Sequence, residues 1–213
     1  MLTSDYDLFV FDWDGTLSRS TRIVMLSRFL MKRYRIGNIE KRIKEYQIDA
    51  MEKVKAMENE SKFYSALYDI YSTITMPRIK EGTMDVLQIL RKKKKKIAVF
   101  SDSNSYRLSQ ETGRYGIARY TDIILSSQSI GHHKPSPLGL NMIRERLGVP
   151  KERCIYIGDM AADIYTARFA GYKSCVLADG ADSYSLLKSF KPDYIFKDIN
   201  LFLEALKSKR KKR

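Results

Sequence analysis

The stretch Asp7-Leu8-Phe9-Val10-Phe11-Asp12-Trp13-Asp14-Gly15-Thr16-Leu17 decides how this chain folds. Leu8 to Phe11 is a short run of apolar aromatic and branched residues followed at once by turn chemistry, which predicts a buried strand. The run delivers Asp12 and Asp14 into a turn closed by Gly15 and Thr16. Successive residues of extended chain alternate faces, so the two carboxylates are expected to point the same way. Carboxylates converging at the C-terminal end of a buried strand are costly unless a metal or a substrate compensates them. The same eleven residues therefore predict a strand and a site.

A chain of 213 residues suits one large domain, or a core carrying one insertion. Hydrophobic residues make up 44%, enough for a core, and the 30% charged share suits a soluble surface. No apolar stretch approaches the ~20 residues needed to cross a bilayer. The opening residues lack the basic-then-apolar pattern of a signal peptide and are expected to run straight into the first strand, which predicts a cytoplasmic protein with no membrane partner. Cys154 and Cys175 each adjoin an apolar segment and are expected to be reduced, buried packing residues. Two cysteines and two histidines do not complete a four-ligand zinc site, so carboxylates are the expected metal ligands. The formal charge of +14 favours anionic partners, but much of it sits in Lys92–Lys96 and in the tail 207–213. Cations are favourable at a helix C-terminus, so the first run needs no ligand. The basic tail leaves a nucleic-acid partner open, with solubility or loose steering of anions the expected role.

Beyond the first turn the pattern becomes helical. Ile23, Leu26, Phe29, Leu30 and Tyr34 recur at three- and four-residue spacings, and helical patterning continues until Pro77. Residues 19–77 are thus expected to form a small helical insertion with hinges at 18–20 and 76–80. Residues 1–18 and 78–213 form the expected core. From Arg78 onward strands and helices alternate: helix 83–92, strand 96–101, helix 106–115, strand 122–126, helix 137–147, strand 154–157, helix 161–170, strand 173–177, helix 183–189, strand 194–196 and helix 200–207. That alternation predicts an α/β fold with a parallel sheet covered by helices on both faces. In such sheets ligands bind outside the carboxyl ends of the strands. Asp12, Ser101 and Asp159 all stand at such ends.

These residues resemble the haloacid dehalogenase-like hydrolase superfamily over almost the whole chain. Asp12-Trp13-Asp14-Gly15-Thr16 matches its Asp-x-Asp-Gly-Thr motif, and Ser101 its Ser or Thr after an apolar strand. Lys134-Pro135 matches its lysine motif, and Gly158-Asp159-Met160-Ala161-Ala162-Asp163 its acidic loop. The resemblance implies a Rossmann-like core with a small all-α cap. It also implies a Mg²⁺-dependent phosphatase in which Asp12 attacks phosphorus and forms an aspartyl-phosphate. Asp14 is then the acid/base that serves the leaving oxygen and the hydrolytic water. The Asp12 carboxylate, the Asp14 carbonyl and Asp159 suit Mg²⁺ as hard oxygen ligands, with Asp163 binding directly or through water. Ser101 and Lys134 are expected on the phosphate oxygens, with Asp102 beside them and Gly15 letting the turn close over the phosphate.

Bland roles compete at several positions. Asp159 can cap the following helix, Trp13 can belong to the core, and His132 and His133 can be solvent-facing loop residues. Asp102 stands where many relatives carry Asn and would bring negative charge near the phosphate. A helical insertion after the first motif resembles the phosphoglycolate phosphatase branch, which makes phosphoglycolate the leading small phosphorylated substrate. A phosphomutase, a phosphonate hydrolase, and a basic nucleic-acid-binding protein that uses the fold without catalysis are the alternatives.

Overall fold

The computed structural model describes residues 2–19 and 77–208. Six strands carry the core: β1 Leu8–Phe11, β2 Lys96–Ser101, β3 Ile123–Ser126, β4 Cys154–Gly158, β5 Lys173–Leu177 and β6 Tyr194–Phe196. They form one sheet in the order β3-β2-β1-β4-β5-β6, and every pairing is parallel. The helices are α1 Leu2–Asp5, α2 Thr83–Lys92, α3 Ser105–Arg114, α4 Ser127–Ile130, α5 Leu138–Leu147, α6 Ala161–Ala170, α7 Tyr184–Ser189 and α8 Ile199–Lys207. The expected α/β architecture is the one observed.

Strand alternation sorts the core into two layers. Phe9, Phe11, Ile97, Val99, Ile155 and Ile157 share one face with Leu87 and Leu90 of α2, Leu108 of α3 and Phe202 of α8. Leu8, Val10, Ala98, Phe100 and Tyr156 share the other with Leu140 and Ile143 of α5 and Ala167 of α6. Both faces of β1 are covered, which is why its sequence reads as a continuous apolar run. Fully burying Phe9 or Phe11 contributes on the order of 2 kcal/mol each.

Topology then places the site. The chain leaves β1 toward β2 and β3 and returns across the sheet to β4 on the other flank of β1. The switch in direction falls between β1 and β4, whose carboxyl ends are level: Phe11 pairs Ile157, and the Asp12 N–H donates to the Ile157 carbonyl at 2.8 Å.

Four details depart from the sequence expectation. The chain does not run straight into β1, because α1 precedes it, and α4 was hidden in a serine-rich loop. The Lys92–Lys96 run does more than end a helix: Lys93 Nζ donates to the Leu206 carbonyl at the end of α8 (2.7 Å), and Lys95 pairs Asp7 (2.8 Å). Arg153 and then Lys95 hold the half-exposed Asp7 carboxyl down at about 2. Finally, the two expected hinges meet each other. Arg19 N–H donates to the Arg78 carbonyl at 2.7 Å, Lys80 N–H to Leu17 at 2.9 Å, and Ser18 and Ile79 form an antiparallel bridge. The expected helical insertion between them, apart from its terminal residues 19 and 77, lies outside the described residues, as does the tail beyond Ser208. Among the described residues no helix is long and apolar enough to cross a membrane.

Candidate active site

Asp12, Asp159 and Asp163 come together at the switch point, with one oxygen of each lying within 4.8 Å of the others. All three are buried. Lys134 enters from the loop before α5 and divides its ammonium between Asp12 Oδ1 and Asp163 Oδ1, each at 2.8 Å. Its Nζ also stands 5.4 Å from the Tyr156 ring centroid and 5.9 Å from that of Phe100. Burial opposes the lysine's charge, but Asp12 and Asp163 outweigh it and hold the ammonium well above its ordinary value. Asp12 is pushed the other way. Burial raises its carboxyl well above the usual range despite Lys134, and Asp163 and Asp159 add to the rise. Two of the three carboxyl groups share one lysine and the third, Asp159, lies beside them, so among the described residues the cluster holds more acids than cations.

Backbone groups aim these acids. Asp163 stands in the first turn of α6, where its Oδ2 accepts the N–H groups of Asp159 (3.0 Å) and Met160 (2.9 Å) while Oδ1 takes Lys134. The helix-capping carboxylate is thus Asp163, and Asp159 is left for the site. Asp159 Oδ2 accepts the Ala181 N–H at 2.5 Å, and its Oδ1 receives the Thr16 hydroxyl at 3.4 Å. Two glycines make that seat possible. A Cβ on Gly15, whose φ is +82°, or on Gly180 would stand 2.2 Å from Asp159 Oδ2.

Asp14 belongs to a different group of side chains. The strand ends at Phe11, so strict alternation does not extend to Asp14, and the two carboxylates meet separate partners. Arg107 of α3 grips Asp14 with both terminal nitrogens, Nη2 to Oδ1 at 2.6 Å and Nη1 to Oδ2 at 3.1 Å. The Ser103 hydroxyl also donates to Asp14 Oδ2, and Ser101 Oγ donates to Ser103 Oγ at 3.0 Å. Arg107 Nε reaches Glu111 one helical turn on at 2.8 Å, and the Trp13 indole N–H donates to the other oxygen of Glu111. Trp13 is therefore a core residue with its polar edge satisfied.

Asp102 stands apart from both groups. It is exposed, and its Oδ1 accepts the backbone N–H of Lys134 at 3.2 Å. It holds the loop that carries Lys134. The exposed His133 places Nδ1 2.7 Å from Ser127 Oγ and 3.6 Å from Asp102. Arg107, Ser103, Glu111 and the loop around Gly180 were missed in the sequence. Arg107, Leu108, Glu111 and Thr112 recur as one buried stripe on the helix that follows Ser101, and that spacing was the available signal.

The fold and the site define an α/β protein with a buried carboxylate–lysine centre at the switch point of a parallel sheet. A family model described as haloacid dehalogenase-like hydrolase matches residues 6–171, and the chain belongs to that family. The pyrophosphatase PpaX of Oceanobacillus iheyensis is 27% identical over 115 residues, 54% of this chain and 54% of that protein. The phosphoglycolate phosphatase of Escherichia coli K12 is 31% identical over 90 residues, 42% of this chain and 36% of its own length. The chain thus matches about half or less of each of these relatives. Among solved structures, a predicted phosphoglycolate phosphatase from Haemophilus somnus superposes with a TM-score of 0.66 at 20% identity, over 94% of this chain and 98% of that one. At that identity the likeness is one of fold.

Proposed function

We propose that the chain is a Mg²⁺-dependent phosphatase that hydrolyses a small phosphorylated metabolite through an aspartyl-phosphate on Asp12, working in the cytoplasm. The observation that carries this reading is the convergence of Asp12, Asp159 and Asp163 at the sheet's switch point, with Lys134 paired to Asp12 and Asp163. The donors are hard oxygens with an excess of negative charge, which fits a small divalent cation. The Asp12 carboxylate, the Asp14 carbonyl and Asp159 would hold it, with Asp163 directly or through water. Bound there, Mg²⁺ supplies positive charge against the phosphoryl oxygens.

The remaining chemistry belongs to the chain. An Asp12 oxygen attacks phosphorus in line, and the bond from phosphorus to the leaving oxygen breaks. Asp14 gives that oxygen its proton, then takes one from the water that attacks the aspartyl-phosphate, releasing inorganic phosphate and restoring Asp12. Lys134, Ser101 and the Asp14–Gly15 turn receive the phosphoryl oxygens. Residues 19–77 serve as a cap that excludes water. Free, buried Cys154 and Cys175 suit a reducing compartment, and burial pushes the Cys154 thiol up to about 11.

The substrates named for the relatives, phosphoglycolate and pyrophosphate, head the panel to be assayed for phosphate release with Mg²⁺. Release that persists unchanged under a chelator overturns the metal. An isomerised product in place of free phosphate points to a mutase, and borohydride trapping of substrate on a lysine to a phosphonate hydrolase. Salt-sensitive DNA or RNA binding that disappears on deleting residues 207–213, without phosphate release, points to the nucleic-acid reading.

The seat of Asp159 yields a further expected result. Gly180→Ala drives a methyl group into that carboxylate. Divalent-ion affinity, followed by Mn²⁺ titration, is expected to fall about 10–100-fold, as when a metal ligand's support is removed. Unchanged affinity would separate Asp159 from the metal.

A further inference from the structure

We propose that Arg107 is a positioning residue that fixes the carboxylate plane of Asp14 for proton transfer; this rests on the acid/base role given to Asp14 above. The geometry is a closed circuit. Trp13 and Asp14 are neighbours in the first turn, and both are tied to α3: Asp14 by the two terminal nitrogens of Arg107, and Trp13 through Glu111, which also holds Arg107 Nε at 2.8 Å. A single contact would fix only where the carboxylate sits. The two-point contact of a planar guanidinium fixes its plane as well, which an ammonium cannot do.

The helix carrying Arg107 is itself held. The Asn104 side chain caps it by accepting the N–H groups of Tyr106 (2.9 Å) and Arg107 (3.2 Å), so the arginine's backbone belongs to a capped first turn. The Ser101–Ser103 hydroxyl pair reaches Asp14 from the strand end just before that helix. Arg107, Glu111, Asp14 and Trp13 are all at least 95% buried. A buried ion cluster of this kind is weak evidence for stability, because well-packed apolar residues do as well or better. Its arrangement is better explained by orientation: one arginine, locked on its inner edge, presents its outer edge to one carboxylate.

In the first half-reaction a misdirected acid matters only where the leaving oxygen needs a proton, whereas the water step uses Asp14 whatever the ester, so the quantity read is the rate of leaving-group release in the first turnover. The experiment therefore compares an aryl phosphate, whose phenolate departs unaided, with an alkyl phosphate, whose alkoxide does not. The variants are Arg107→Lys, which keeps the charge and loses the fork, and Arg107→Met with Glu111→Gln, which removes both charges of the helix pair together. Expected is a fall in the first-turnover release rate on the alkyl ester of about 10²-fold or more, the scale of general acid catalysis, with the double variant more affected. On the aryl ester the first-turnover release rate is expected to stay within about five-fold, while kcat falls wherever breakdown of the aspartyl-phosphate limits turnover.

Equal losses of the first-turnover release rate on both esters, or no loss on either, overturn the proposal, the first by showing that Arg107 only supports the fold. Circular dichroism and thermal midpoints accompany each variant, and Arg107→Lys serves as the conservative case should the double variant unfold. A wild-type chain inactive on every phosphate ester removes the phosphatase reading itself, and the proposal with it. The two failures are therefore distinct.

Discussion

Asp12→Asn is expected to lower phosphate release by at least about 10⁴-fold, the scale of loss when a nucleophile is removed, and to leave no acid-stable phosphoryl group on the protein. The fold should survive. Asp12 lies in a cluster where burial and two neighbouring carboxylates raise its carboxyl well above the ordinary range, so a neutral amide of the same shape relieves repulsion. The thermal midpoint measured without divalent ions is accordingly expected to hold or rise as activity disappears, as at other sites where function opposes stability. Phosphate release at the wild-type rate, read with a coupled assay, would remove Asp12 from the chemistry. A loss of activity accompanied by unfolding would show that its charge is needed for the fold.

The second large effect is expected at Lys134, where activity and metal affinity should move in opposite directions. Lys134→Met removes the one cation that, among the described residues, Asp12 and Asp163 share. Removing one partner of a buried ion pair costs about 3–5 kcal/mol, so the metal-free variant should melt well below the wild type. A divalent ion then has less competition for the same oxygens. Mn²⁺ should bind the variant at least as tightly as the wild type, and saturating Mg²⁺ at a hundred times its dissociation constant should return about 2.7 kcal/mol of stability. Activity should still fall about 10²–10³-fold if Lys134 holds the phosphoryl oxygens as proposed, because they then lose a fixed cation. Calorimetry with and without Mg²⁺, beside the assay, checks all three statements. A variant that divalent ions do not restabilise would place the metal elsewhere.

The core was legible because strands buried on both faces must be apolar throughout, and Leu8–Phe11, Ile97–Phe100 and Ile155–Ile157 read that way without ambiguity. The strand-end rule then singled out Asp12, Ser101 and Asp159, since a parallel sheet leaves its loops one end at which to build a site. What sequence could not reveal was which polar residues turn inward. Arg107 and Glu111, one helical turn apart, look like an exposed ion pair, the commonest fate of such a pair. They are buried because their stripe of α3 faces the first turn, a fact of packing that no local pattern states. Gly180 was missed for the opposite reason. It sits in an unremarkable Ala-Asp-Gly-Ala-Asp loop whose purpose appears only when its backbone is seen against Asp159. Asp102 adds what position alone does not state: beside the motif serine, its carboxylate ties down the loop of Lys134.

The ladder between residues 17–19 and 78–80 has an architectural consequence. The chain departs from the sheet and rejoins it through two segments hydrogen-bonded side by side, at the ~5 Å spacing of paired strands. Closing the excursion is thus the work of the scaffold, whatever sequence lies between. Lys80 secures the returning segment by pairing, at 2.6 Å, with Asp179 of the loop that wraps Asp159. A junction of this kind works like a socket. Segments of different length and composition can be exchanged through it, since longer loops add closure entropy only slowly, and the catalytic chassis is left undisturbed.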